Sequence, residues 1–139
     1  MNEVTKRFLA AKALIRNSDG NFLIVREAGT YDEGTNVGKW DLPGGRLEVG
    51  ETLLEGLQRE VREEAGIEIV VEDLVDAREN FPVIKGEKVH IVRLYYLCSS
   101  DKIEITLSVD HDQFAWISKA ELSDYAVMDD VKDLISTLL

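Results

Sequence analysis

"GGRLEVGETLLEGLQREVREEAGI", residues 44–67, decides how this chain is read. Its last third carries Glu60, Glu63 and Glu64 within five residues. On a helix, like charges three and four positions apart repel by a few tenths of a kcal/mol per pair. Either solvent tolerates that crowding or a cation sits there and relieves it. The helix itself is well marked: Thr52 followed by Glu55 fits a capping box, and Gly66 fits the left-handed position just past a C-terminus. A helix over Leu53–Ala65 follows. At 100° per residue, Leu54, Leu57, Val61 and Ala65 form one stripe, while Glu60, Glu63 and Glu64 occupy a neighbouring arc of about 100°. One face packs and the next presents carboxylates.

Outward from the helix, the chain mixes strand and helix signals. Upstream, a strand over Arg7–Arg16, a turn at "NSDGN" and a second strand "FLIVRE" read as a hairpin, with Asp19 and Gly20 as the turn pair. Residues 28–38 are polar and hold three glycines, a long loop of the kind that carries function, before the short apolar segment "KWDLP". Downstream come a strand within "IEIVVEDLVDAREN" ending near Phe81, a loop at "PVIKGE", and a strong strand "KVHIVRLYYLCSS". A further strand is expected at "KIEITLSV", followed by "DHDQFAWIS" and a C-terminal helix from Met128 to Leu139. Helices covering a mixed sheet, an α+β or α/β sandwich, is the fold class these elements imply.

The chain has 139 residues, 45% hydrophobic and 31% charged, with no linker or repeat, so a single domain over residues 1–139 is expected. No apolar run approaches the roughly 18 residues of a membrane span. "FLAAKALI" is broken by Lys12 and runs into a strand pattern, a poor signal peptide, so the expected location is the cytoplasm. The net charge of −11 argues against binding a nucleic-acid polymer, and any polyanionic substrate must be met by local cations or metal ions. Cys98, the lone cysteine, falls in an apolar strand and reads as a buried inert thiol. His90 and His111 have no partner at ligand spacing, and Trp40 and Trp116 read as core or groove-lining aromatics. Lys39, Arg26, Arg46 and Lys85 are scattered cations able to meet phosphates.

Gly45, five residues, Glu51, seven residues, then Arg59-Glu60-Val61-Arg62-Glu63-Glu64-Ala65-Gly66-Ile67 resembles the Nudix box, G-x5-E-x7-R-E-U-x-E-E-x-G-U with U aliphatic, at residues 45–67. Every specified position is filled, and seven fixed identities would coincide by chance at a given start on the order of once in 10⁸. The resemblance extends to the "NSDGNFLIVRE" hairpin, "WDLPGG" at Trp40–Gly45 and "DHDQFAWISKAEL" at Asp110–Leu122. It implies the Nudix fold, an α/β/α sandwich with a central mixed sheet and flanking helices, and a Mg²⁺-dependent pyrophosphohydrolase of MutT type, with Mn²⁺ as a substitute ion.

For the site, the resemblance implies Glu60 and Glu64 as metal ligands, and Glu63 as a third ligand or the base that deprotonates the attacking water. The carbonyl of Gly44 would complete the metal shell. Arg59 is implied as an orienting partner of Glu63 and Glu51, and Asp110, ahead of Asp112, as a later acidic ligand or base. The physical requirements agree with that set. Cleaving a phosphoanhydride requires neutralised phosphoryl oxygens and a positioned water, and magnesium takes oxygen ligands while keeping several waters. A small nucleotide is the implied partner, most simply a (deoxy)nucleoside triphosphate cleaved to monophosphate and pyrophosphate. ADP-ribose or another nucleoside-diphosphate sugar and then a dinucleoside polyphosphate are the alternatives within the family, with specificity in residues 28–38 and 80–87. A nucleotide-sensing module that has lost catalysis, and an acidic structural partner protein, are the rival classes. No coiled-coil seam sets an oligomeric state.

Overall fold

A computed structural model describes residues 3–29 and 37–138. Its centre is a mixed sheet built on two long strands, β1 (Val4–Arg16) and β7 (Glu87–Ser99), which run parallel. β5 (Val70–Asn80) lies antiparallel on the far side of β7, and β6 (Val83–Ile84) pairs with the start of β7 across a tight turn at Lys85 and Gly86. On the other side of β1 stand β2 (Phe22–Glu27), β3 (Trp40–Asp41) and β4 (Gly44–Arg46), and β8 (His111–Ile117) adds to β2.

Helices cover both faces, as the sandwich expectation required. α1 (Leu53–Ala65) sets Leu57, Val61 and Ala65 against Ala11, Ala13, Ile15, Tyr96 and Cys98. α2 (Asp129–Leu138) sets Val131, Leu134 and Ile135 against Leu14, Tyr95, Phe22 and Ile117 on the opposite face. A strand buried on both sides reads as a continuous apolar run rather than an alternation, which is why "AAKALI" looks as it does. Burial also pushes the Cys98 thiol up to about 12, so it is an inert core group. Among the described residues no helix is long and apolar enough to cross a membrane.

Four local expectations change. β1 begins at Val4, three residues before the expected Arg7. The β1–β2 hairpin turns at "NSDGN" but is paired only at Arg16–Phe22, because β2 then leaves β1 to pair with β8. "KIEITLSV" is not a strand: its amides bind the end of α1, Thr106 N–H donating to the Ala65 carbonyl at 3.0 Å and Ser108 N–H to that of Glu64 at 3.3 Å. Orphan carbonyls at a helix end need donors, and an alternating sequence does not reveal that they will come from an extended segment instead of a ladder. Finally, Leu54 is 46% exposed. A Cβ on Gly56 would stand 2.1 Å from Leu47, so the loop before α1 packs closely against the helix there, and Leu53 rather than Leu54 joins Leu47 at the core.

Candidate active site

The box helix forms as its caps dictate. Thr52 Oγ1 accepts from Glu55 N–H at 3.1 Å, Glu55 Oε1 accepts from Thr52 N–H at 2.9 Å, and Gly66 closes the helix at φ +69°. Arg59, one and a half turns in, organises the acidic face. Its Nε and Nη2 bind both oxygens of Glu51 at 2.6 and 2.9 Å, its Nη1 reaches Glu60 and Glu63 at 3.1 Å each, and Nη2 also donates to the Arg46 carbonyl at 3.2 Å. The fork fixes Glu51 in the bidentate geometry that lysine has no means of supplying. The guanidinium, helped by the Glu48 N–H, holds the Glu51 carboxyl down at about 2.

The glycine pair is a strip of bare backbone, a glycine window, at which β4 lies against both β1 and the carboxylates of α1. Gly44 sits at φ +136°, where a Cβ would stand 2.1 Å from the Ala11 carbonyl oxygen, and a Cβ on Gly45 would stand 2.8 Å from Glu60 Oε2. Gly44 therefore requires bare backbone, whereas a side chain at Gly45 would have to displace the Glu60 carboxylate. There Glu64 Oε2 accepts the Gly44 N–H at 2.8 Å. Burial pushes the Glu64 carboxyl up to about 8, against the pull of Lys12 and Gly44, and burial likewise raises Glu60 against Arg59. Glu63 stays largely exposed at the rim.

These groups line a cleft of about 470 Å³ together with Asp110, Lys12, Arg93 and His111. The structure thus brings together Gly44, Glu60, Glu63, Glu64 and Asp110, while Arg59 and Glu51 stand behind them as a clamp. Among the described residues, no three acidic or histidine side chains close on one point as a complete ligand set. An all-oxygen, partly desolvated and open set suits a hard divalent ion whose remaining ligands are waters and substrate oxygens. The residues present fit such an ion.

Asp112 faces differently: it takes a two-bond ion pair from Arg26 at 2.7 and 2.9 Å, which engages both residues with each other. Of the other cations, Lys39 and Arg46 line the cleft, Arg46 lying over the Phe8 ring at 3.7 Å, whereas Lys85 belongs to the β6–β7 turn. His90 is distant in role, bridging Arg7 and Glu79 with bonds of 2.8 and 2.7 Å. Trp40 is buried against Tyr125, and Trp116 donates to the Ile103 carbonyl at 3.2 Å, so both are structural.

Sequence reasoning missed Lys12, Asp41 and Arg93 and set His111 aside, all of which line the cleft. Lys12 Nζ pairs with Asp41 Oδ2 at 3.0 Å. Burial works to lower its pKa, but the charges of Asp41 and Glu64 outweigh it and keep the ammonium protonated. The available signal was a single charge inside "AAKALI". His111 Nδ1 is buried without a hydrogen-bond partner among the described residues, and burial lowers its pKa, favouring the neutral ring. A second cleft of about 320 Å³, reaching Asn80, Tyr95, Asp129 and Asp130, shares Asp41 and Arg93 with the first. Of the expected specificity segments, Asn80 lines this second cleft, and residues 30–36 of the 28–38 loop lie outside the described residues.

Comparison with known proteins agrees with this architecture. The NUDIX domain family matches residues 6–137. The nucleoside triphosphatase NudI of Escherichia fergusonii is 32% identical over 119 residues, covering 81% of this chain and 82% of its own. The MutT protein of Methanosarcina mazei Go1 superposes with a TM-score of 0.82 at 30% identity, over 96% of this chain and 93% of its own. The NUDIX domain of Shewanella oneidensis NrtR, solved with ADP ribose, shares the fold at a TM-score of 0.72 and 17% identity, over 95% and 86% of the two chains. With the box complete, its carboxylates gathered at a glycine window and the family match spanning nearly the whole length, the chain belongs to the Nudix family as a MutT-type hydrolase.

Proposed function

We propose that the protein, acting as one Nudix domain over residues 1–139, hydrolyses a (deoxy)nucleoside triphosphate to the monophosphate and pyrophosphate with Mg²⁺, or Mn²⁺ in its place, in the cytoplasm. The observation that carries this is that two desolvated glutamates of α1 meet the Gly44–Gly45 backbone at a cleft also lined by Lys12, Lys39, Arg46 and Arg93. The similarity to the NudI nucleoside triphosphatase supports the choice of substrate class.

Glu60, Glu64 and the Gly44 carbonyl would hold the ion, which supplies neutralisation of charge on the phosphoryl oxygens. A water attacks phosphorus, the bond to the bridging oxygen breaks, and pyrophosphate leaves. Glu63, exposed at the rim and tethered by Arg59, would either accept the water's proton or add a third ligand. Asp110, which also lines the cleft, serves as the alternative ligand or base. Arg59 and Glu51 touch no reacting atom in this scheme and act by fixing the positions of Glu60 and Glu63.

The test is a nucleotide panel with Mg²⁺, including ADP-ribose and a dinucleoside polyphosphate, read for phosphate and pyrophosphate release. Pyrophosphate from a triphosphate, reduced by about 10²–10⁴-fold in Glu63→Gln or Glu64→Gln, supports the reading. Turnover restricted to ADP-ribose overturns the substrate class, and unchanged activity in both variants overturns the site.

A further inference from the structure

Lys12 stands where the fold gives no packing reason for a charge. It interrupts the run Ala10–Ile15, every other member of which is at most 7% exposed. A lysine in a two-sided sheet loses hydration and must be compensated. The Asp41 carboxylate does so at 3.0 Å, and Asp41 is itself fixed by the Leu42 N–H on its other oxygen at 2.7 Å. That pair uses one of three ammonium donors.

The register shows what the rest of the group faces. Lys12 pairs with Gly44 on one side of β1 and with Tyr95 on the other, and Ala10 pairs with Arg93, so Lys12 and Arg93 stand on the same face. Lys12 is therefore beside the glycine window, close enough to Glu64 and Glu60 for each to feel its charge. Across the cleft the order is helix carboxylates, window, Lys12, Arg93.

We propose that Lys12 is a phosphate-binding residue, whose buried ammonium, held by Asp41 between the glutamate wall and Arg93, contacts a non-bridging oxygen of the substrate's polyphosphate. The inference rests on the hydrolase reading for its substrate. It differs from a structural role in that a counter-ion to Asp41 alone would be dispensable once Asp41 lost its charge.

The experiment is isothermal titration of inorganic pyrophosphate in the presence of Mg²⁺ with wild type, Lys12→Met, Lys12→Arg and the double variant Lys12→Met/Asp41→Asn. Circular dichroism and melting verify folding, and the double variant leaves no orphaned carboxylate at position 41. Lys12→Met is expected to bind at least about tenfold more weakly, the loss of one charge-assisted hydrogen bond. Lys12→Arg is expected to stay within about threefold of wild type, since it keeps the charge, and the double variant to remain weak. Wild-type affinity in Lys12→Met, recovery of affinity in the double variant, or no pyrophosphate binding by the wild type each overturns the proposal. A protein that hydrolyses no nucleotide yet binds pyrophosphate through Lys12 overturns the hydrolase reading alone. Normal nucleotide turnover with wild-type affinity in Lys12→Met overturns only this one.

Discussion

Gly44 and Glu64 meet through a 2.8 Å hydrogen bond from the glycine amide to Oε2, at a point where a Cβ on residue 44 would stand 2.1 Å from the Ala11 carbonyl oxygen. The bond joins helix and sheet at the place where the carboxylates enter the cleft. A Cβ on Gly45, one residue on, would meet first the end of the Glu60 side chain. The two glycines should therefore fail differently. Gly44→Ala meets rigid backbone at positive φ and is expected to cost about 2–3 kcal/mol or more in denaturant unfolding. Gly45→Ala displaces a side chain that has room to swing, so its stability should change by no more than about 0.5 kcal/mol. Its kcat/KM should nonetheless fall at least about tenfold through misplacement of Glu60. Full activity in Gly45→Ala would show that the window does not govern the site.

The Arg59–Glu51 clamp gives a pH prediction. The Glu51 carboxyl is held down from 4.5 to about 2, first by its hydrogen bonds to Arg59. A depressed carboxyl contributes stability that is present above its unfolded value and lost as pH falls through the folded one. Melting of wild type and Glu51→Gln should therefore differ most above pH 4.5 and converge toward about pH 2. A gap that is constant over that range would show that the ion pair is not its source.

Arg59→Lys tests the fork itself. It keeps the charge yet loses the simultaneous hold on Glu51, Glu60 and Glu63. The expected result is a fall in kcat of about 10²-fold with KM little changed, because positioning rather than substrate binding is lost. Steady-state kinetics on the best substrate of the panel would check it.

Metal binding should be visible without turnover. Glu60 and Glu64 are both desolvated and repel one another across the window. Mg²⁺ is expected to raise Tm, as any ligand of the native state does. Glu64→Gln should raise Tm of the metal-free protein by about 2–4 °C, an effect of roughly 1 kcal/mol or less, and should abolish most of the Mg²⁺ increment. Equal Mg²⁺ responses in variant and wild type would remove Glu64 from the ligand set.

The packing of α1 is checked by two leucines. Leu57 is fully buried and Leu54 is 46% exposed. Leu57→Ala should cost about 2–5 kcal/mol, and Leu54→Ala no more than about 0.5 kcal/mol. Denaturant unfolding of both separates the observed face from the one that period alone draws.

Features that rest on local chemistry were legible in the residues alone. The capping box at Thr52 and Glu55, the stop at Gly66 and the spacing of Gly45, Glu51 and Arg59–Ile67 are short-range facts, and the helix appears with the bounds they set. The strong β1 and β7 patterns came through for the same reason, since burial on both faces leaves a run of apolar residues that composition alone displays. Period alone was a weaker guide: it placed Leu54 in the core, where the loop residue Leu47 and Gly56 bring Leu53 in instead.

Tertiary structure decided everything that depended on which elements meet. "KIEITLSV" alternates like a strand, and only the position of the α1 carboxy-terminus shows that its amides go to Glu64 and Ala65. The resemblance ranked Asp110 ahead of Asp112 without separating their partners; the fold pairs Asp112 with Arg26 and leaves Asp110 on the cleft. Lys12 is one charge in an apolar strand until Gly44, Asp41 and Glu64, distant in sequence, are folded beside it. A motif fixes residues that act within one helix, but a cleft has walls from several elements, and their long-range register is not written in the spacing of any one of them.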